Sequence, residues 1–149
     1  MKTEEFRKKL IESTYLMKWV NGNWKWNNDG SVDVEGNVEI RNYPYQKLPF
    51  KFRKVVGYFD CANNILETLE GCPEYLEGGF TCRGNKLKSL IGSPNKVDGF
   101  WCYNNQLETL DGSPNVVLNA YSCYGNATRF TKKDVKKVCN VMDECMIYV

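Results

Sequence analysis

The chain has 149 residues, a net charge of +2, seven cysteines and no histidine. This length suits one domain with its own core, and the small net charge gives no argument for nucleic acid or an anionic membrane. The lack of histidine removes the commonest general base and any Ser-His or Cys-His pair, which disfavours an enzyme. No stretch has the ~20 apolar residues of a membrane span. The acids Glu4 and Glu5 disfavour a signal peptide. The sequence therefore predicts a cytoplasmic protein with reduced cysteines.

Residues 1–37 are predicted to form an N-terminal cap. Thr3 is suited to cap a helix, and apolar residues at helical spacing predict an amphipathic helix over about residues 3–17; they are Phe6, Leu10, Ile11 and Tyr15. The turn-forming segments Asn21-Gly22-Asn23 and Gly36-Asn37 then predict a β-meander. Together they would cover the apolar end of the segment that follows.

Residues 38–128 carry a repeat. Cys61, Cys82, Cys102 and Cys123 are 21, 20 and 21 residues apart, and a fixed period of this size predicts a solenoid. In a degenerate first copy, Ile40 takes the cysteine position, while Tyr45 and Leu48 take the two leucine positions of later copies.

Each repeat predicts one strand and one return segment. Phe59 and Cys61 alternate with polar neighbours, which predicts a short strand with both side chains inside. After the return bend, one apolar residue should re-enter the core in each copy: Leu76, Val97, and Val117 or Leu118. Because a turn has only 20 or 21 residues, we expect extended or polyproline-like return segments rather than helices.

Residues 129–149 are predicted to form a C-terminal cap. Thr131 and Asp134 resemble a capping box, and Val135, Val138 and Met142 at helical spacing predict a helix over about residues 131–143. Residues 146–149 are predicted to form a short packed tail.

The repeat Phe59-x-Cys61-x-x-Asn64-x-Leu66-x-x-Leu69 resembles the leucine-rich repeat, with phenylalanine and cysteine in two aliphatic positions. Its length is similar to that of the short bacterial type, and the phrase Asn-x-Leu-x-x-Leu-x-Gly-x-Pro is similar to repeat proteins of tailed bacteriophages. The resemblance implies a horseshoe with a parallel sheet on its concave face, little helix on the convex side, and a ladder of asparagines at the turns. The expected fold class is thus an α+β leucine-rich-repeat solenoid, capped at both ends.

The four repeat cysteines should form a row of buried thiols. Parallel strands stack ~4.8 Å apart, and a row of sulfurs does not surround one metal ion as a tetrahedral site requires. We therefore expect no metal and no cofactor. Oxidation of adjacent pairs such as Cys61 and Cys82 stays open on geometric grounds.

The residues between the inward positions should face outward on the concave sheet. They include four aromatic side chains and arginines, the residue types that dominate binding hot spots. The candidate partner-binding residues are Arg41, Tyr58, Asp60, Thr81, Arg83, Trp101, Tyr103, Ser122 and Tyr124.

These features predict a non-catalytic protein-binding module. The bacteriophage resemblance implies a folded host protein, such as a defence factor, as the partner that the module inhibits by covering its surface. The alternative is single-stranded nucleic acid, stacked on the sheet aromatics and held by basic clusters at residues 47–54 and 132–137. Neither function requires a membrane.

Overall fold

The computed structural model describes residues 3–149, which form a parallel-sheet solenoid of about five turns with two helices. The elements are α1 (Thr3–Trp19), β1 (Val20–Trp26), β2 (Val32–Glu39), β3 (Phe52–Val56), β4 (Phe59–Asp60), β5 (Tyr75–Leu76), β6 (Phe80–Thr81), β7 (Lys96–Trp101), β8 (Val116–Ser122), α2 (Lys132–Val138), β9 (Asn140–Val141) and β10 (Met146–Tyr148). The prediction of a solenoid with a parallel sheet is confirmed.

Two parallel ladders run along the solenoid. The first ladder joins β2, β4, β6, β7, β8 and β10 in that order. Its register aligns the inward residues Val38, Phe59, Phe80, Phe100, Tyr121 and Ile147. In the second ladder, β3 pairs with β2 on one side and β5 on the other, and the beginning of β8 pairs with the beginning of β7 and with β9. The return segments are extended rather than helical, as predicted, and the residues before the predicted strands also pair with neighbouring turns.

The core is a column of aromatic rings with cysteines and leucines beside it. Phe59 stacks on Phe80 and Phe80 on Phe100, with ring centroids 5.6 Å apart in both pairs. These three side chains and the four repeat cysteines are at most 1% exposed. Val117, rather than Leu118, re-enters the core in its turn. Each turn thus repeats the packing of the turn before it.

A ladder of asparagines closes the turns that follow β4, β6, β7 and β8. The Asn85 amide donates to the carbonyls of Cys61 and Cys82, at 2.9 and 3.0 Å, and its oxygen accepts from the Leu66 N–H. Asn64, Asn105 and Asn126 make the equivalent bonds. These side chains satisfy backbone groups that would otherwise be buried without partners.

Helix α1 is rotated relative to the prediction. Its buried side chains are Glu12, Leu16 and Trp19, whereas Phe6, Leu10 and Ile11 are 56%, 58% and 60% exposed. Trp19 fixes this rotation, because it stacks on Tyr15 and packs edge-on against the buried ring of Tyr43.

Strand β1 passes through the segment that was predicted to turn. β1 pairs antiparallel with β2, and Gly22 lies directly opposite Gly36. A Cβ added to Gly22 would lie 2.2 Å from the Glu35 carbonyl oxygen. The two glycines therefore allow a close approach of backbones rather than a change of direction. β2 also pairs parallel with β3 and β4, so the parallel sheet begins at Val32.

In the degenerate first turn, Tyr43 takes the place that Tyr45 was predicted to fill. Tyr43 is 5% exposed and Tyr45 is 55% exposed. The Tyr43 hydroxyl donates to the Lys47 carbonyl at 2.8 Å, and burial raises the pKa of this phenol to about 12. Leu48 is buried as predicted.

The predicted C-terminal helix is shorter than expected. Thr131 and Asp134 do form a capping box, but α2 ends at Val138, and Cys139 has extended dihedral angles. β9 and β10 then add two further strands beside β8. Sheet pairing thus overrides the helical spacing that continued to Met142.

Candidate functional site

The solvent-facing side of the first ladder is a grid of side chains, which we call the candidate face. One column contains Glu39, Asp60, Thr81, Trp101, Ser122 and Tyr148, which lie side by side in the strand register. A second column, two residues further along each turn, contains Arg41, Ala62, Arg83, Tyr103 and Tyr124. The register therefore brings the predicted site residues together on one face.

The first two turns of the candidate face are ionic. The Arg41 guanidinium donates to Asp60 at 2.6 Å and lies 3.6 Å from Glu39. The Tyr58 hydroxyl donates to the Glu39 carboxylate, and this bond raises the pKa of Tyr58. These four side chains satisfy one another, so Arg41 is not an unpaired cation.

The later turns of the candidate face are aromatic. The Tyr103 and Tyr124 rings stack with centroids 4.6 Å apart. The guanidinium carbon of Arg83 lies 5.7 Å from the Tyr103 centroid. Desolvation and the neighbouring Tyr103 raise the pKa of Tyr124. Arg83, Tyr103 and Tyr124 thus form one stack across three turns.

Trp101 lies across two glycines of neighbouring turns. A Cβ added to Gly99 would lie 2.3 Å from an indole carbon, and one added to Gly79 would lie 2.8 Å from the same ring. The indole is half-buried. Because glycine leaves no side chain beneath the ring, Trp101 can lie against the sheet, in the column next to that of the tyrosine stack.

Two predicted site residues contribute little accessible surface. Ser122 is only 2% exposed, so it offers little surface to a partner; Trp101 and Tyr148 lie on either side of it in its column. Thr81 is half-buried, and its Oγ1 has no hydrogen-bond partner among residues 3–149. The accessible part of the aromatic half therefore consists of Arg83, Trp101, Tyr103 and Tyr124.

Tyr148 and Met146 were not predicted to belong to the site. β10 places Tyr148 beside Ser122 and Met146 beside Ala120. In the sequence, Ile147 and Val149 alternate with Met146 and Tyr148, just as Phe59 and Cys61 alternate with outward-facing residues. This alternation could have identified Met146 and Tyr148 as part of the face. Both side chains are largely exposed. They extend the candidate face by one turn.

The cysteines are free thiols and do not belong to this site. All seven are free, and six are buried. Burial raises the pKa of Cys72, Cys82 and Cys102, and it raises that of Cys123 to about 11. Raised pKa values keep these groups protonated at neutral pH. Within residues 3–149, no three metal-ligating side chains cluster.

The basic cluster at residues 47–54 is largely neutralised. Lys47 lies 2.8 Å from Glu70, Lys51 pairs with Glu74, and the Arg53 Nε donates to Asp33 at 2.9 Å. Lys54 lies over the Tyr75 ring. These partners leave few free cations for a phosphate backbone.

Comparison of the chain with protein families, curated protein sequences and solved structures gives no match. Neither helix within residues 3–149 is long and apolar enough to cross a membrane.

Proposed function

We propose that the chain is a non-catalytic protein-binding module that uses the aromatic half of the candidate face. The observation that carries this proposal is the stack of Arg83, Tyr103 and Tyr124 on consecutive turns of one parallel ladder, with Trp101 in the neighbouring column. Arginine, tryptophan and tyrosine dominate protein-binding hot spots. A rigid sheet loses little conformational entropy when it binds.

The absence of catalysis is supported by the chemistry of the candidate face. Its carboxylates, Glu39 and Asp60, are held by Tyr58 and Arg41. The sequence has no histidine to act as a base. The cysteines nearest to the face point into the core as buried thiols. None of these groups is free to act as a nucleophile or general base.

The finer identity of the partner rests on the sequence resemblance. If the repeat belongs to the leucine-rich repeats of tailed bacteriophages, the partner is a folded protein of the host bacterium, and binding inhibits that protein by covering its surface. A host defence protein is the target that this hypothesis favours, and the complex would form in the host cytoplasm.

Affinity capture from bacterial lysate tests the proposal. Trp101→Ala plus Tyr103→Ala should reduce capture of the partner at least about tenfold, since hot-spot residues contribute ~2 kcal/mol or more each. Tyr45→Ala plus Ile91→Ala is the matched control, because these side chains are 55% and 67% exposed elsewhere on the surface. Thermal unfolding of both variants shows that they fold.

The captured species decides between proteins and nucleic acid. The proposal is supported if a protein is still captured after nuclease treatment and its capture is lost only with the Trp101→Ala plus Tyr103→Ala variant. A partner that both variants retain equally contradicts it. Binding that nuclease abolishes, and that falls steeply with salt, would instead show stacking of single-stranded nucleic acid.

A further inference from the structure

Strand β10 has one paired edge and one open edge. The Cys123 N–H donates to the Tyr148 carbonyl at 2.9 Å, within the parallel register that joins β10 to β8. In a strand, alternate residues direct their N–H and C=O groups to opposite sides. Met146 and Tyr148 therefore point these groups at β8, and Ile147 points its own away. Within residues 3–149, no strand pairs with this second edge.

Exposed apolar side chains lie around the open edge. Met142, Met146 and Tyr148 are 54%, 57% and 47% exposed. Val141 and Ile147, which pack against the core, line a groove of about 180 Å³ between α2 and β10. The core is thus incompletely covered here, whereas Leu16 and Trp19 of α1 are buried against it at the other end.

The same surface carries unpaired charges of both signs. Lys132, Lys136 and Asp143 line the groove, and Glu144 follows Asp143. None of the ion pairs among residues 3–149 includes any of these four side chains. Apolar side chains, an open strand edge and both signs of charge make the surface complementary to itself. Self-complementarity is what an isologous interface requires.

We propose that β10 pairs antiparallel with β10 of a second copy of this chain, around a two-fold axis at Ile147. The Ile147 N–H of each copy donates to the Ile147 carbonyl of the other, as in a hydrogen-bonded antiparallel pair. Met146 then lies opposite Tyr148 of the second copy. The pairing closes the open edge of both copies, which is otherwise a template for uncontrolled association.

The dimer also joins the two candidate faces. Tyr148 belongs to that face, so the first ladder continues across the axis into the second copy. This arrangement presents two aromatic surfaces in one assembly and allows two sites to bind together. Dimerisation itself does not depend on what the candidate face binds.

Sedimentation velocity of the full chain, over about a hundredfold range of concentration, tests the pairing. The wild type should sediment as a dimer that dissociates on dilution. Met146→Lys plus Tyr148→Lys places like charges opposite each other and should weaken association at least about tenfold. Met17→Lys plus Ile91→Lys adds the same charge at two side chains that are 70% and 67% exposed elsewhere, and should remain dimeric.

Charge reversal gives a second test that guards against misfolding. Lys132→Glu plus Lys136→Glu gives one acidic variant, and Asp143→Lys plus Glu144→Lys gives one basic variant. Each alone should be more monomeric than the wild type, and an equimolar mixture should dimerise again. A wild type that is monomeric throughout, a lysine variant at β10 that dimerises like the wild type, or an assembly that keeps growing beyond two copies would overturn the proposal.

Discussion

The Tyr103 and Tyr124 rings stack one turn apart, with centroids 4.6 Å apart and planes inclined by 14°. This spacing is close to the ~4.8 Å between neighbouring parallel strands. The two rings therefore meet without distorting the sheet, simply because both residues occupy the same column of the repeat. Tyr124 remains 45% exposed, so the stack keeps an accessible surface for a partner.

The stack should contribute measurably to stability. Tyr103→Ala, Tyr124→Ala and the double variant form a double-mutant cycle, and we expect a coupling of about 0.5–1.5 kcal/mol. Urea unfolding measures each free energy. The pair Tyr45 and Tyr103 is the control: Tyr45 packs edge-on against Tyr43 and Tyr103 stacks on Tyr124, so their substitutions should be additive. Strict additivity for Tyr103 and Tyr124 would contradict the stacked geometry.

The position of Trp101 depends on the glycines beneath it. Gly99→Ala places a methyl group where the indole lies and should destabilise the protein by about 1–3 kcal/mol. Gly99 has no positive φ, so the effect should come from the ring rather than from the backbone. The test is the same substitution in a Trp101→Ala background, where most of the cost should disappear. An equal cost in both backgrounds would show that Trp101 is not packed there.

The asparagine ladder should be essential for folding. Asn85→Ala removes the partners of three backbone groups, and each unsatisfied group costs about 1–3 kcal/mol. We expect a loss of several kcal/mol in the free energy of unfolding, measured with urea. Asn95→Ala, at an exposed side chain, should change it by less than about 0.5 kcal/mol.

The sequence predicted the interior of the solenoid better than its ends. The inward positions of Phe59 and Cys61 follow from their alternation with polar neighbours, and the same alternation recurs at the same place in each repeat. The two ends of the chain have no such repeated pattern. Helix α1 has apolar residues on two sides, and only the packing of Trp19 on Tyr15 and Tyr43 shows which side faces inward.

The candidate site was predicted in part for the same reason. Tyr103 and Tyr124 share a repeat position, so their proximity could be inferred from spacing. The pairing of Arg41 with Asp60 and the burial of Ser122 depend on side-chain conformations and neighbours that spacing does not specify. Tyr148 joined the face only because β10 continues the ladder past α2, in the segment that was predicted to form a short packed tail.

The buried thiols predict how stability depends on pH. Burial raises the pKa of Cys82 and Cys102 above that of an unfolded thiol, about 8.5. The unfolded chain therefore releases protons first as the pH rises. Below pH about 8.5 these thiols make their full contribution to stability. Above that pH, each thiol lowers the free energy of unfolding by about 1.4 kcal/mol per pH unit.

Urea unfolding between pH 6 and about 10 measures this dependence. We expect constant stability from pH 6 to 7.5, since no histidine titrates there, and a steep fall above about 8.5. The contribution of Cys123 should still be falling at pH about 10, because its pKa is about 11 in the folded protein. Cys102→Ala should lower stability at neutral pH but reduce the slope at high pH. If Cys102→Ala leaves the slope of stability against pH unchanged, the thiol of Cys102 already ionises in the folded protein, which contradicts the prediction.

Site-specific photo-crosslinking tests most directly whether the candidate face binds a folded protein. A photoreactive phenylalanine analogue replaces Tyr124 in one variant and Tyr45 in a control, at side chains that are 45% and 55% exposed. Irradiation in bacterial lysate should link the Tyr124 variant to one discrete protein, whose peptides mass spectrometry identifies, and should leave the control unlinked. Equal crosslinking at both positions, or crosslinks only at Tyr45, would contradict the assignment of the candidate face.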